Sequence, residues 1–245
     1  MELLYLATFL VAFISSILSG LAGGGGFMMA PYWLIAGMTP AQGAATGAFM
    51  ALGMGGGSLA AFKGTGHFPA NKKLIIALLA LTLVTSLVGP FFLHTISAET
   101  FKPILAILTF VSLPFLFLKS KAVQASRRRT GIGTVGLGAL LLASSFITSS
   151  AFSILIAIVL TRSLGLTILQ GTAMRRLMGL VQSVVIFIIL TTLGNFLWLH
   201  AVFALIGGII GSYLGTRYAI KRGEMFAKYA LAAGAVVGTV AMLLV

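Results

Sequence analysis

Eight long apolar stretches, separated by short polar or basic segments, constrain this chain more than any other feature of its sequence. A helix needs about 20 apolar residues to cross the hydrocarbon core of a bilayer, because each residue adds about 1.5 Å. Only 8% of the residues are charged and 59% are apolar, whereas a soluble domain is about a quarter charged. We therefore expect an all-α polytopic membrane protein. The apolar stretches are residues 3–36, 39–62, 74–93, 101–118, 131–161, 165–192, 199–216 and 225–245.

The basic residues lie mainly between these stretches. The chain has 16 Lys and Arg against 3 Asp and Glu, which gives a formal net charge of +13. In a soluble protein this excess would indicate nucleic-acid binding, but basic residues at the ends of membrane helices set topology instead. We predict a multi-pass protein of the cell inner (plasma) membrane that contacts lipid and binds no nucleic acid; a homodimer is left open.

Two of the stretches are too long for one span and too short for two, and each is interrupted. Residues 3–36 break at a run of four glycines, and residues 131–161 break around Thr148 to Ser150. A short apolar piece follows each break. Inverted repeats with such broken helices are typical of secondary transporters, whose binding sites lie near the bilayer midplane where the breaks meet.

The second half of the chain repeats the first at a shift of 128 residues. The sequence GMTPAQGAA from Gly37 aligns with GLTILQGTA from Gly165, and GHF at Gly66 aligns with GNF at Gly194. Two further matches follow in the same order, with a slip of a few residues. Four matches in order at nearly one offset indicate a duplication.

The basic residues indicate that the two repeats have opposite orientations. Segment 63–73 is basic while its counterpart 191–199 has no Lys or Arg, and the reverse holds for 94–99 and the basic segment 217–222. By the positive-inside rule, the basic segments lie in the cytoplasm. We expect two inverted repeats of about five helices each, with short helices that are broken or re-entrant near the midplane. The units are residues 1–118, the basic cytoplasmic linker 119–130, and residues 131–245.

Two arginines lie near the middle of the stretch 165–192, about 15 Å from its start. Ionisable side chains at this depth normally face a cavity or a partner rather than lipid. The corresponding face of residues 39–62 carries only Gly and Ala, which would leave room for a ligand. On a helical wheel the polar residues share one face: Gly171, Thr172, Arg175, Arg176, Gly179, Gln182 and Ser183.

Other interpretations stay open for these residues. The arginines could bond backbone carbonyls released by the broken helices, or lie at the membrane interface. Spaced glycines elsewhere in the chain are interpreted as helix-packing contacts, because small residues let membrane helices approach closely. These glycines are Gly207, Gly211, Gly215, Gly234 and Gly238.

No carboxylate is available to neutralise two arginines inside the bilayer. The only acidic residues, Glu2, Glu99 and Glu224, lie at or near predicted helix ends. The sequence therefore predicts a small anionic substrate, which guanidinium groups bind through several N–H donors. The glycine run could offer backbone N–H groups to this anion, or be only a hinge. The predicted substrate-binding residues are Arg175, Arg176, Gly23, Gly24, Gly25, Gly26, Gln42, Thr46, Ser149, Ser150, Gln170, Thr172, Gln182 and Ser183.

The sequence offers no constellation for catalysis. The chain has no cysteine, no pair of carboxylates and no nucleotide-binding loop, so we expect neither an enzyme nor a bound metal or cofactor. Proton coupling commonly uses intramembrane Asp or Glu. Here it would need His67, His94 or His200, or the ionisation of the substrate itself, or it would not occur.

Several motifs resemble those of the TauE/SafE sulfite exporter family. The sequence GLAGGGGFMMAP from Gly20, followed by GMTPAQGAAT from Gly37, is similar to the first-repeat signature of that family. The sequence GLTILQGTAMRRL from Gly165 is similar to its second repeat, and GSYLGTR from Gly211 to its ending. The resemblance covers essentially the whole chain.

This resemblance implies a transporter of small anions, such as sulfite, organosulfonates or carboxylates, for which we expect alternating access. One departure is TSSAF at residues 148–152, where the family has a second glycine-rich run. The alternative function is an anion channel, or a membrane-embedded structural or assembly subunit whose arginines hold lipid or the fold. By motif position, the resemblance implies functional roles for Gly24, Gly25, Gly26, Pro31, Thr46 and Arg176.

Overall fold

The described part of the chain is helical. The computed structural model describes residues 2–22, 26–69, 71–97, 127–146 and 164–222, together with a few shorter pieces. These residues contain no strand, and five of their helical segments are long and apolar enough to cross a membrane. The helices are α1 (Glu2–Ala22), α2 (Gly26–Ile35), α3 (Pro40–Phe62), α4 (Lys72–Ser86), α5 (Gly89–Thr95), α6 (Arg127–Phe146), α7 (Ile168–Thr192) and α8 (Trp198–Arg222).

Helices α1 and α2 flank residues 23–25, which lie outside the described part. The hydroxyl group of Tyr32 in α2 lies 2.6 Å from Thr8 Oγ1 and 3.2 Å from the carbonyl oxygen of Leu4. α2 therefore runs back toward the start of α1, as a broken or re-entrant segment would. Its 10 residues extend about 15 Å, which is about half of the hydrocarbon core.

Helices α3 and α7 begin with the same capping box. The side chain of Thr39 accepts a hydrogen bond from the backbone N–H of Gln42, whose side chain accepts one from the N–H of Thr39. Thr167 and Gln170 form the same two bonds 128 residues later. Each box satisfies two backbone donors at a helix start. Glycines with positive φ recur at the same spacing: Gly37 with Gly165, and Gly66 with Gly194.

Helix α8 packs in parallel against α1, with their backbones in close contact. A Cβ added at Gly207 would lie 2.7 Å from the carbonyl oxygen of Phe9. The glycines one and two turns later meet the carbonyl groups of Phe13 and Ile17 in the same way. Lipid is as apolar as the side chains, so such close packing holds membrane helices together. The predicted packing role is thereby confirmed for Gly207, Gly211 and Gly215; Gly234 and Gly238 lie outside the described residues.

Another side of α8 packs in parallel against α3. A Cβ added at Gly53 would lie 2.9 Å from the carbonyl oxygen of Leu205. Near the ends of both helices, the hydroxyl groups of Ser58 and Thr216 are buried and 2.9 Å apart. Thr216 Oγ1 also donates to the carbonyl oxygen of Gly20 at 3.4 Å. One hydroxyl group therefore joins α1, α3 and α8.

Helix α3 packs against α7 in the opposite direction. Ala41, near the start of α3, lies in a buried cluster with Leu190, near the end of α7. Gly55, toward the end of α3, contacts Leu180 in the middle of α7. The two helices that begin with the same capping box are therefore antiparallel.

The two ends of the bundle differ in charge. The end at which α3 begins, here called the Thr39 end, also contains His94 and Asn195. Segments 63–73 and 217–222 lie together at the opposite end, here called the basic end, as their charges predict. The basic end carries Lys63, Lys72, Lys73, Lys221 and Arg222.

The stretch 74–93, expected as one apolar segment, corresponds to one candidate membrane span over Lys72–Phe91, but the helix is interrupted within that span. α4 ends at Ser86, and α5 begins at Gly89, directly before Pro90. A proline has no backbone N–H and its ring clashes with the preceding turn, so a helix cannot continue through it undisturbed. The hydroxyl group of Ser86 also donates to the carbonyl oxygen of Thr82 at 2.6 Å, a bond that favours bending.

Candidate functional site

Arg176 lies on α7 and reaches the last turn of α1. Its Nη1 donates to Ser19 Oγ at 2.9 Å, and its Nη2 donates to the carbonyl oxygen of Ser19. The last carbonyl groups of a helix lack intrahelical partners and carry the negative end of the helix dipole. The guanidinium group therefore stabilises the end of α1 just before the glycine run. This contact is the one that the structural interpretation of the arginines predicts.

Arg176 still offers an N–H donor beyond that contact. A guanidinium group has five N–H donors, and Nε of Arg176 is buried without a hydrogen-bond partner among the described residues. The side chain of Arg175 extends along α7, where a Cβ added at Gly179 would lie 3.1 Å from its Nη1. Two adjacent cations in a medium of low dielectric repel each other, and an anion between them would relieve that repulsion.

The polar face of α7 contacts more than one neighbouring helix. Gln182 is buried and donates through Nε2 to Ser144 Oγ of α6 at 2.9 Å. Ser183 is buried and Thr172 is half-buried. Gln182 and Arg176, which the helical wheel places on one face, form hydrogen bonds with different helices, α6 and α1.

The small-residue face of α3 does not leave the predicted room for a ligand. The side chain of Trp33 from α2 lies against Gly43, with its Cβ 2.9 Å from an added Cβ at that glycine. Its Nε1 lies 3.2 Å from an added Cβ at Gly47, and Leu180 fills the space at Gly55. The expectation of a space was wrong at these positions, because the small residues accommodate large apolar side chains of neighbouring helices.

The remaining predicted site residues have different surroundings. Gln42 and Gln170 cap α3 and α7, and the side-chain oxygen of each accepts from a threonine N–H at 3.0 or 3.1 Å. Thr46 is fully buried, and its Oγ1 has no partner within the described structure. Gly26 begins α2. The role of all these residues stays a prediction, as it does for those outside the described residues: Gly23, Gly24, Gly25, Ser149 and Ser150.

A buried polar cluster that the sequence did not indicate joins α1, α2 and α8. Thr8 is fully buried, and its Oγ1 lies 2.6 Å from Tyr32 OH and 2.9 Å from His200 Nδ1. The ring of Tyr5 packs edge-on against His200, with 5.0 Å between ring centroids. In the sequence these appear only as isolated polar residues within apolar stretches, without a spacing that relates them.

A pocket of about 420 Å³ lies at the Thr39 end of the bundle. Its walls come from the turn between α2 and α3, the end of α5, and the turn between α7 and α8. His94 and Asn195 meet at this pocket, where Asn195 Nδ2 donates to His94 Nδ1 at 2.9 Å. Both halves of the sequence therefore contribute to it.

The sequence matches the family described as "Sulfite exporter TauE/SafE" over residues 8–242. The "Probable membrane transporter protein YfcA" of Escherichia coli (strain K12) is 25% identical over 224 residues, which cover 88% of this chain and 81% of that protein. The "Probable membrane transporter protein" of Haemophilus influenzae is 25% identical over 223 residues, covering 88% and 85%. The "Probable membrane transporter protein ORF9" of Sinorhizobium sp is 24% identical over 223 residues, covering 90% and 85%.

No solved structure gives a significant match to this chain. The family match nevertheless runs from within α1 to a point close to the last residue, and so includes both halves of the sequence. It agrees with the resemblance of the glycine-rich motifs. The chain therefore belongs to the TauE/SafE family.

Proposed function

We propose that the protein is a secondary transporter that carries a small anion across the inner membrane by alternating access. The observation that carries this proposal is the position of Arg175 and Arg176 within an apolar helix, beside the end of α1. The five apolar spans of the described structure contain no acidic residue. Ionisable residues at such depth mark transport pathways, and ends of broken helices bind the ions of secondary transporters.

Sulfite, an organosulfonate or a related carboxylate is the substrate class that we propose. The family description names sulfite. Two relatives that match over 81% and 85% of their own length are named as probable membrane transporter proteins. The planar guanidinium fork of arginine suits oxyanions, because it presents parallel N–H donors to two oxygens. Since no carboxylate of the protein lies in these spans, the neutralising charge is proposed to come from the substrate.

Two inverted repeats, residues 1–118 and 131–245, are proposed as the basis of alternating access. Supporting this arrangement, α3 and α7 begin with the same capping box and run antiparallel. The basic end is proposed to face the cytoplasm, following the positive-inside rule.

The contact between Arg176 and Ser19 favours a second candidate function. In this candidate the protein is a channel or an assembly subunit, and the arginines hold lipid phosphate or the end of α1. Binding of a substrate anion distinguishes the transporter from an assembly subunit whose arginines hold lipid or the end of α1.

The purified protein in detergent is expected to melt several degrees higher in sulfite, ethanesulfonate or acetate than in chloride of equal ionic strength. A ligand that binds only the folded state stabilises it by about 2.7 kcal/mol at 100 times its Kd. Flux of the stabilising anion into proteoliposomes then shows transport. If no anion raises the melting temperature and none crosses the membrane, the transporter proposal is withdrawn.

The proposed topology predicts which introduced cysteines react from outside the cell. The chain has no cysteine of its own, so single substitutions report one position each. Thr192→Cys, at the Thr39 end, is expected to react with a membrane-impermeant maleimide on intact cells, and Lys63→Cys, at the basic end, only after permeabilisation. Both side chains are exposed. Labelling of Lys63→Cys alone on intact cells would reverse the assigned orientation.

A further inference from the structure

We infer that the pocket at the Thr39 end is a second, outer binding site for an organic anion, separate from the arginines of α7. The inference rests on the proposed function in one respect, since it takes the transported substrate to be an anion. The pocket is distant from Arg176: the 16 residues of α7 between Arg176 and Thr192 extend about 24 Å.

The polar groups of the pocket are suited to a negative charge. Asn195 donates one N–H of its side chain to His94 Nδ1 and another to the carbonyl oxygen of Leu193 at 3.1 Å. The amide nitrogen of Asn195 can only donate, so Nδ1 of His94 accepts, and Nε2 is the ring nitrogen that this contact leaves for a ligand. Ser97 adds an exposed hydroxyl group, which lies 3.0 Å from Thr100 Oγ1. None of the described residues that line the pocket is acidic.

The pocket is larger than an inorganic oxyanion requires. An ion such as sulfite has a volume on the order of two or three water molecules, or about 60–90 Å³, against the 420 Å³ of the pocket. Leu34, Met38 and Ile96 supply apolar walls. Small-molecule sites commonly combine such a volume with apolar walls and a few placed donors. The geometry therefore suits an anionic head group attached to a short aliphatic chain.

The position of the pocket between the two halves gives it a defined place in transport. His94 belongs to the first half and Asn195 to the second, and their hydrogen bond is exposed to solvent. An anion bound here would contact both halves before it moves to the arginines, or after it leaves them. The outer site thus affects the affinity for substrate outside the cell, whereas the arginines bind the substrate within the bilayer.

A cysteine at Ser97 tests the outer site directly in the full-length protein. In detergent, butanesulfonate is expected to slow the reaction of Ser97→Cys with N-ethylmaleimide at least fivefold, because the anion covers the pocket wall. Lys63→Cys is the control: it is exposed at the basic end, does not line the pocket, and is expected to react at an unchanged rate. Sulfite is omitted because it reacts with maleimides.

Two further variants complete the experiment. Asn195→Ala in the Ser97→Cys background is expected to remove the protection, and Arg176→Ala is expected to leave it intact because the two sites are separate. Equal rates with and without butanesulfonate at Ser97→Cys, or equal slowing at Lys63→Cys, would overturn the outer site. If the protein transports anions but butanesulfonate does not protect Ser97→Cys, the proposed function stands and the outer site is wrong. If butanesulfonate protects Ser97→Cys but no anion is transported, the outer site stands and the proposed function is wrong.

Discussion

Arg176→Ala is expected to lower anion transport at least 30-fold while the protein still inserts in the membrane. A hydrogen bond to a charged group contributes about 2 kcal/mol, and each 1.36 kcal/mol corresponds to a factor of ten in rate. The variant loses both the contacts to Ser19 and a cation that we propose to bind substrate. Flux of labelled ethanesulfonate into proteoliposomes, normalised to inserted protein, measures the effect.

Two control variants separate substrate binding from the structural role of this arginine. Ser19→Ala removes one hydrogen bond to Nη1 but keeps the guanidinium group, so we expect at most a few-fold loss of transport. Arg217→Ala removes an exposed arginine at the basic end, whose Nη1 bonds Tyr213 OH, and should transport normally. If Ser19→Ala loses as much transport as Arg176→Ala, the arginine acts by holding α1 and the substrate-binding assignment is wrong.

Gly211→Ala is expected to destabilise the protein by about 1–3 kcal/mol, the usual cost of overpacking a well-packed interior. The added Cβ would collide with the carbonyl oxygen of Phe13 and lie 2.9 Å from Ser16 Cβ. Backbone atoms cannot rotate aside, so α1 and α8 must separate along their length. The expected result is a lower melting temperature in detergent and a smaller yield of monodisperse protein.

Gly56→Ala is the matched control for this substitution. Gly56 also lies inside a membrane helix, but a Cβ added there meets nothing within 4 Å. Because glycine in a helix interior costs about 0.5–1 kcal/mol relative to alanine, this variant should be as stable as the parent protein or more stable. Equal melting temperatures for the two variants would show that the close contact of α1 and α8 is not needed for stability.

Much of the fold could be predicted from the positions of apolar and glycine residues. The predicted stretch 39–62 corresponds to α3 and the stretch 165–192 to α7. An apolar segment in a bilayer has few ways other than a helix to pair its backbone N–H and C=O groups. The break before Pro90 was missed, since hydropathy does not register a missing N–H donor. Helix α6 begins at Arg127, before the apolar stretch that begins at residue 131, because a helix can extend beyond its apolar part.

The candidate site was less accessible to prediction. A helical wheel identifies residues on one face, but not the helix that covers it. The partner of Arg176 is Ser19, 157 positions away, and no local pattern relates the two. Gly43 and Gly47 leave space beside α3, but the side chain of Trp33 occupies that space instead of a ligand. These contacts depend on how the helices assemble, which composition and periodicity do not specify.

The pairing of α1 with α8 has a consequence for how the protein is made. Phe13 and Gly211 are in contact but lie about 200 residues apart in the chain. At a synthesis rate of about 5–20 residues per second, α1 leaves the ribosome roughly 10–40 s before its partner. During that time the side chains that α8 and α7 later cover, including Thr8 and Ser19, face lipid or the insertion machinery. Helix α1 is thus completed by a helix that is translated much later, and the waiting time is the interval in which a chaperone of membrane insertion would act on it.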